Sequence, residues 1–168
     1  MIRLLLDADG IIKLYRAGVL AQVVRAFSCA IPRAVYEEVV AEGKLRLHPD
    51  ADAIDAILLG MVTVIPVDRF QQPELRLGAG ELAILSLLPQ EPGAIVVSDD
   101  RRFLAVLSMQ GTPFLTPADI LVVLSRRDIL SAGEAREALE RLRPAIRLAA
   151  YWDARQDLEA GRGNHEEE

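Results

Sequence analysis

The sequence predicts an α/β domain built on a mostly parallel, doubly wound sheet of about five strands. Three observations predict it. Short apolar runs recur at 2–6, 28–31, 62–67, 94–97 and 113–115. Every gap between them holds at least one segment with helical periodicity. The first run, Ile2–Leu6, is broken only by Arg3, as suits a strand covered on both faces.

Element by element, the apolar run Ile2–Leu6 ends in Asp7-Ala-Asp9-Gly10, a strand followed by a turn. Ile11–Phe27 carries a helical pattern that Gly18 divides into two helices. After the strand Ser28–Ile31, Pro32 suits the first position of a helix through Glu42. Pro49–Leu59 reads as a helix opened by Asp50 or Asp52, and Val62–Val67 alternates like a strand despite Pro66. Gly78 or Gly80 opens a helix to Leu88, which Pro89-Gln-Glu-Pro-Gly ends. The strand Ala94–Val97 runs into Asp99-Asp100, the start of a helix that Gly111 closes. Pro113–Leu115 is a short strand, and Pro117 opens a helix to about Arg127. Ser131 caps a further amphipathic helix to about Arg143, and Pro144 precedes a last helical stretch through Tyr151 and Trp152.

A chain of 168 residues, 51% hydrophobic and 26% charged, fits one globular domain with a sizeable core. No stretch approaches a spanning helix, and Leu4-Leu5-Leu6 is too short for a secretory core before Asp7 interrupts it. A cytoplasmic location without membrane contact follows by elimination. Cys29 is the only cysteine, so no internal disulfide is possible and a packing role is expected. Residues 159–168 hold four Glu against Arg162 and read as a disordered acidic tail. The net charge of −6 is not the footprint of a protein that holds nucleic acid through broad phosphate contacts. Contact with RNA would be local and assisted by a cation.

Ligand sites in such sheets lie outside the carboxyl ends of the strands, where strand order reverses. Asp7, Asp99 and Asp100 fall at that edge, although each also suits a turn or a helix N-cap. Two helical glutamates say more. With about 100° per residue from Val35, Glu38 falls inside the apolar arc while Glu37 points away. Glu42 lies one turn beyond Glu38 on the same face. Glu81 occupies the first turn of a helix that is apolar nearly all round, Gly80-Glu-Leu-Ala-Ile-Leu-Ser-Leu-Leu. A dipole interaction explains an acid in the first turn but not on a helix that must be buried, where an unpaired charge costs several kcal/mol. Lys13 and Lys44 are the only lysines, and few basic residues are placed to pair with these acids. A bound divalent cation with oxygen ligands is the natural counter-charge, and no His or Cys cluster points to zinc.

These residues resemble the PIN-domain nucleases, the group that includes the VapC toxins, over roughly residues 1–125, with 126–158 as a helical extension of the same domain. Leu-Leu-Leu-Asp7-Ala-Asp9 is similar to the family's opening strand and first acid, and Pro32-Arg-Ala-Val-Tyr-Glu37-Glu38 to its Pro-x-x-Val-x-x-Glu helix. Gly78-Ala-Gly80-Glu81 resembles the third acidic motif. Ser98-Asp99-Asp100-Arg-Arg-Phe103 resembles the strand-end motif Thr/Ser-x-Asp-x-x-Phe, which favours Asp100 over Asp99. The resemblance implies an α/β/α sandwich and a Mg²⁺- or Mn²⁺-dependent endoribonuclease leaving 5′-phosphate ends. It assigns Asp7, Glu38, Glu81 and Asp100 to catalysis. Asp7, Glu81, Asp99 and Asp100 would ligate the metal, and Ser98, Arg101 and Arg102 would meet substrate. Arg69 and Arg76 are further candidates to steer RNA phosphates. Asp9 stands where many members carry Ser or Thr, and the helical extension is longer than in minimal toxins. The resemblance also raises a toxin role with an antitoxin partner. Tyr151 and Trp152 would either pack on the core or form a dimer or antitoxin surface.

Two alternatives stand beside this reading. Asp7-Ala-Asp9-Gly10 also resembles the start of haloacid-dehalogenase-type phosphatases, with Asp7 as nucleophile, but no lysine follows the sheet core. A non-catalytic PIN-like binding module would bind divalent cations without cutting RNA.

Overall fold

The computed structural model describes residues 2–161. Five parallel strands, β1 (Arg3–Leu6), β2 (Ser28–Pro32), β3 (Val62–Ile65), β4 (Ile95–Val97) and β5 (Phe114–Leu115), form one sheet in the order β3-β2-β1-β4-β5. Helices cover both faces in a three-layer α/β/α sandwich. Leu4, Leu5 and Leu6 are all fully buried because β1 is central and covered on both sides. The sheet grows outward in both directions from β1, so strand order reverses between β1 and β4. Leu4, Leu5 and Leu6 pair there with Ile95, Val96 and Val97.

The helices follow the expected punctuation. α1 (Ala8–Arg16) and α2 (Leu20–Ala26) are separated by Gly18, whose φ of +78° only glycine adopts without strain. Pro32 ends β2 and α3 (Arg33–Tyr36) begins at the next residue. The helix then widens into a π-turn (Glu37–Ala41), with Glu42 N–H donating to Glu37 O, before α4 (Glu42–Leu45). α5 (Ala51–Leu58) leads to β3, which stops at Ile65, short of Pro66. α6 (Ala79–Leu87) packs on α3 and β2. α7 (Arg101–Met109) leads to β5, and α8 (Pro117–Arg126) starts from a Thr116–Asp119 capping box.

α9 (Ala132–Leu142) and α10 (Leu148–Ala160) pack against α8 and each other, and their Ala135, Leu139, Tyr151 and Leu158 belong to the same core as β1. α10 is longer than its sequence pattern suggests and takes in Glu159 and Ala160, where the acidic tail was expected to begin. The remainder of that tail, 162–168, lies outside the described residues. Tyr151 is fully buried and donates its hydroxyl to Glu140, whereas Trp152 is 46% exposed beside Leu148 at 61%. Among the described residues no helix is long and apolar enough to cross a membrane.

Candidate active site

The sheet delivers its acids to the β1/β4 switch point. Asp7 leaves the end of β1 and caps α1, its Oδ1 accepting from Gly10 N–H at 2.6 Å. The other oxygen, Oδ2, accepts a short hydrogen bond from the Ser98 hydroxyl at the end of β4. Ser98 Oγ in turn accepts from Asp100 N–H at 3.2 Å, so one buried hydroxyl links two acids from neighbouring strands. Gly10 is required at this corner. A Cβ there would lie 2.8 Å from Val97 O and 2.9 Å from Asp7 Oδ1.

Asp100 caps α7 through Phe103 N–H at 3.0 Å, so its capping role and its place in the cleft coexist. Glu81, in the first turn of α6, accepts from Gly78 N–H at 3.0 Å. The other half of a capping box is absent because glycine has no side chain. α6 approaches α3 closely at Gly80, where a Cβ would meet Val35 Cγ2 at 2.8 Å and Glu38 Oε2 at 3.5 Å. That approach sets Glu38 opposite Glu81.

Asp7, Asp9, Glu38, Glu81 and Asp100 therefore line one cleft of about 340 Å³. Arg76, Leu77 and Gly78, from the irregular segment between β3 and α6, form its outer wall with Arg102. That segment is pinned by Gln71 N–H on Ser86 Oγ at 3.0 Å and by Gln110 Nε2 on Gln72 Oε1 at 2.7 Å.

Burial pushes the Asp7 carboxyl up to about 7, against the hydrogen bonds from Ser98 and Gly10, and repulsion by Asp9 and Glu81 adds to the rise. Burial also raises Glu81, with Asp100 and Glu38 as repelling neighbours and Arg102 partly offsetting them. Glu38 rises through burial and then through Glu42. Arg76 and Arg102 make no salt bridge to these acids or to any other described residue.

The donor set fits a hard divalent cation. The acidic side chains offer only oxygens, they repel one another, and Asp7, Glu38, Glu81 and Asp100 form no salt bridge among the described residues. Among the described residues no three His, Cys, Asp or Glu side chains are gathered tightly enough to enclose an ion. A hard divalent cation that keeps its waters needs only one or two carboxylates from the protein.

Several expected site residues have other duties. Asp99, expected as a metal ligand, turns away from the cleft: its Oδ2 pairs with Lys13 Nζ at 2.7 Å, and only 3% of its side chain is exposed. Consecutive residues at a helix start point in different directions, which is why Asp100 and not Asp99 faces the cleft. Ser98, expected to touch substrate, is fully buried and orients Asp7 and Asp100. Arg101 is exposed but does not line the cleft, whereas Arg102 does.

Lys13 is the residue that sequence reasoning missed. It also stands 3.1 Å from Asp9 Oδ2, an ion contact without hydrogen-bond geometry. The extra acid at Asp9 is thereby compensated from one helical turn away. The signal was available as an Asp–Lys pair at i, i+4.

The chain is thus a parallel α/β/α sandwich with acids gathered at its switch point. The PIN domain family matches residues 3–150, and the chain belongs to that family. The match extends past the expected boundary at 125 through α8 and α9. No curated protein matches the sequence significantly.

Proposed function

We propose that the cleft is the catalytic centre of a metal-dependent ribonuclease that cuts single-stranded RNA by hydrolysis. One observation carries the reading: carboxylates from four separate segments meet at one cleft, and Asp7, Glu38, Glu81 and Asp100 form no salt bridge among the described residues. Bound Mg²⁺ or Mn²⁺ would polarise a phosphodiester oxygen and make a water acidic enough to attack near neutral pH. Asp7, Glu81 and Asp100 would hold the cation, with Glu38 across the cleft to accept a proton from the attacking water. Ser98 and Gly10 fix the Asp7 carboxylate so that it need not reorganise during the reaction. Arg76 and Arg102, which form no salt bridge among the described residues, would take the non-bridging phosphate oxygens. The match to the PIN family spans Asp7-Ala-Asp9-Gly10, which favours this chemistry over the phosphatase alternative.

The test is cleavage of unstructured RNA with Mn²⁺. Products should carry 5′-phosphate and 3′-hydroxyl ends, since water rather than the 2′-hydroxyl is the nucleophile. Excess EDTA should abolish cutting, and Glu38→Gln should cripple it while Glu37→Gln does not. Products with 2′,3′-cyclic phosphates would refute the mechanism. Measurable Mn²⁺ binding without any RNA cleavage would favour a non-catalytic binding module.

A further inference from the structure

A second cleft, of about 240 Å³, adjoins the first, and Glu38 lines both. Its apolar lining comes from Ile12, Val39 and Ile54, and its polar groups include Arg16, Arg46 and His48. Glu38 belongs to the π-turn Glu37–Ala41, a distortion that recurs at functional sites. Resting on the ribonuclease reading above, we propose that this second cleft is a subsite for one unstacked nucleotide of single-stranded RNA flanking the bond to be cut.

The argument is one of size, chemistry and continuity. The volume is below the roughly 300–1,000 Å³ of pockets for drug-sized ligands, and suits a single base. Proteins that read single strands splay bases onto apolar, aromatic or guanidinium surfaces and hold the backbone with basic side chains. Here an apolar lining and three groups able to meet a phosphate or a base face occur together.

Those groups are available. Arg16 and His48 make no salt bridge among the described residues. Arg46 has only a 4.0 Å contact with Glu42, both side chains being largely solvent-exposed, and such a contact costs little to give up. Glu42 and Asp50 also line the cleft as acceptors, which favours a base edge carrying an amino group over uracil.

The walls are set before any ligand arrives. Lys44 Nζ and the Tyr36 hydroxyl both donate to Asp55, at 2.6 and 2.8 Å, and so fasten α3 and α4 to α5. Gly43 lets the helices meet, since a Cβ there would lie 3.0 Å from Ala51 Cβ. A strand whose scissile phosphate sits among Glu38, Glu81 and Asp100 therefore has its neighbouring nucleotide beside this cleft.

The test uses the full chain and the triple variant Arg16→Ala/Arg46→Ala/His48→Ala, whose three side chains are exposed and outside the proposed catalytic set. An unchanged thermal melt establishes that the variant folds. Fluorescence anisotropy with a labelled single-stranded RNA in EDTA should show binding weakened about tenfold, the scale of one lost base stack. With Mn²⁺, KM should rise by a similar factor at unchanged kcat. One abasic position beside the cut should raise KM for the wild type but not for the variant. Equal RNA affinity for variant and wild type, or no position sensitive to base removal, would overturn the subsite while leaving the catalytic reading intact. Wild-type binding that the variant loses, without any cleavage, would keep the subsite and sink the catalytic reading. A wild type that neither binds nor cuts RNA would sink both.

Discussion

Replacing Asp7 by Asn should stabilise the metal-free protein while disabling it. The carboxyl is 2% exposed, and burial holds it near 7 against an ordinary value of 3.8. The folded state therefore retains a proton that the unfolded state releases between those two values. Stability from this group is fully present below the unfolded value and is lost as pH rises through that window. A rise of roughly three units corresponds to about 4 kcal/mol of penalty once the group is ionised in the fold, an order-of-magnitude figure. Asn has the same shape. Its oxygen can accept from Gly10 N–H, and its amide can donate to Ser98 Oγ, so little besides the charge is removed.

The assay is urea unfolding of wild type and Asp7→Asn in EDTA at about pH 5 and about pH 8. The variant should be more stable at the higher pH by up to about 4 kcal/mol, and the advantage should shrink to under about 2 kcal/mol at the lower. Saturating Mn²⁺ should narrow the gap by stabilising the wild type alone, by RT ln(1 + [L]/Kd), or about 2.7 kcal/mol at a hundredfold excess over Kd. A stability difference that does not depend on pH, or a variant less stable than wild type at the higher pH, would refute the claim that a buried, uncompensated charge resides at Asp7.

Two further perturbations probe the frame around that charge. Lys13→Met leaves Asp99 buried and unpaired, and should cost about 3–5 kcal/mol in urea unfolding; Lys13→Met/Asp99→Asn should recover most of it, and no recovery would show that Lys13 acts through something other than this pair. Gly10→Ala forces a methyl against Val97 O and Asp7 Oδ1 and should destabilise by about 1–3 kcal/mol, with Mn²⁺ affinity by calorimetry falling alongside because Asp7 must shift.

The sequence by itself determined the strand–helix alternation, because covered parallel strands demand apolar runs and the connecting helices demand a longer period. It also singled out two helical acids. Glu38 and Glu81 stood out because each interrupts an apolar pattern, and both reach the same cleft. The extent of α10 was less legible, since its pattern carries almost no amphipathic contrast and its place is set by packing against α8 and α9.

Only the tertiary structure decided the division of labour at the end of β4. Ser98, Asp99 and Asp100 are adjacent in sequence, yet one orients Asp7, one pairs with Lys13 and one faces the cleft. Periodicity cannot resolve these roles. They depend on the directions three successive side chains take as a strand turns into a helix, and on a lysine 86 residues away along the chain. The second cleft was equally invisible in sequence. It exists because a π-turn, Gly43 and Asp55 set the α4–α5 wall beside α1, a juxtaposition of segments far apart in the chain that no local pattern encodes.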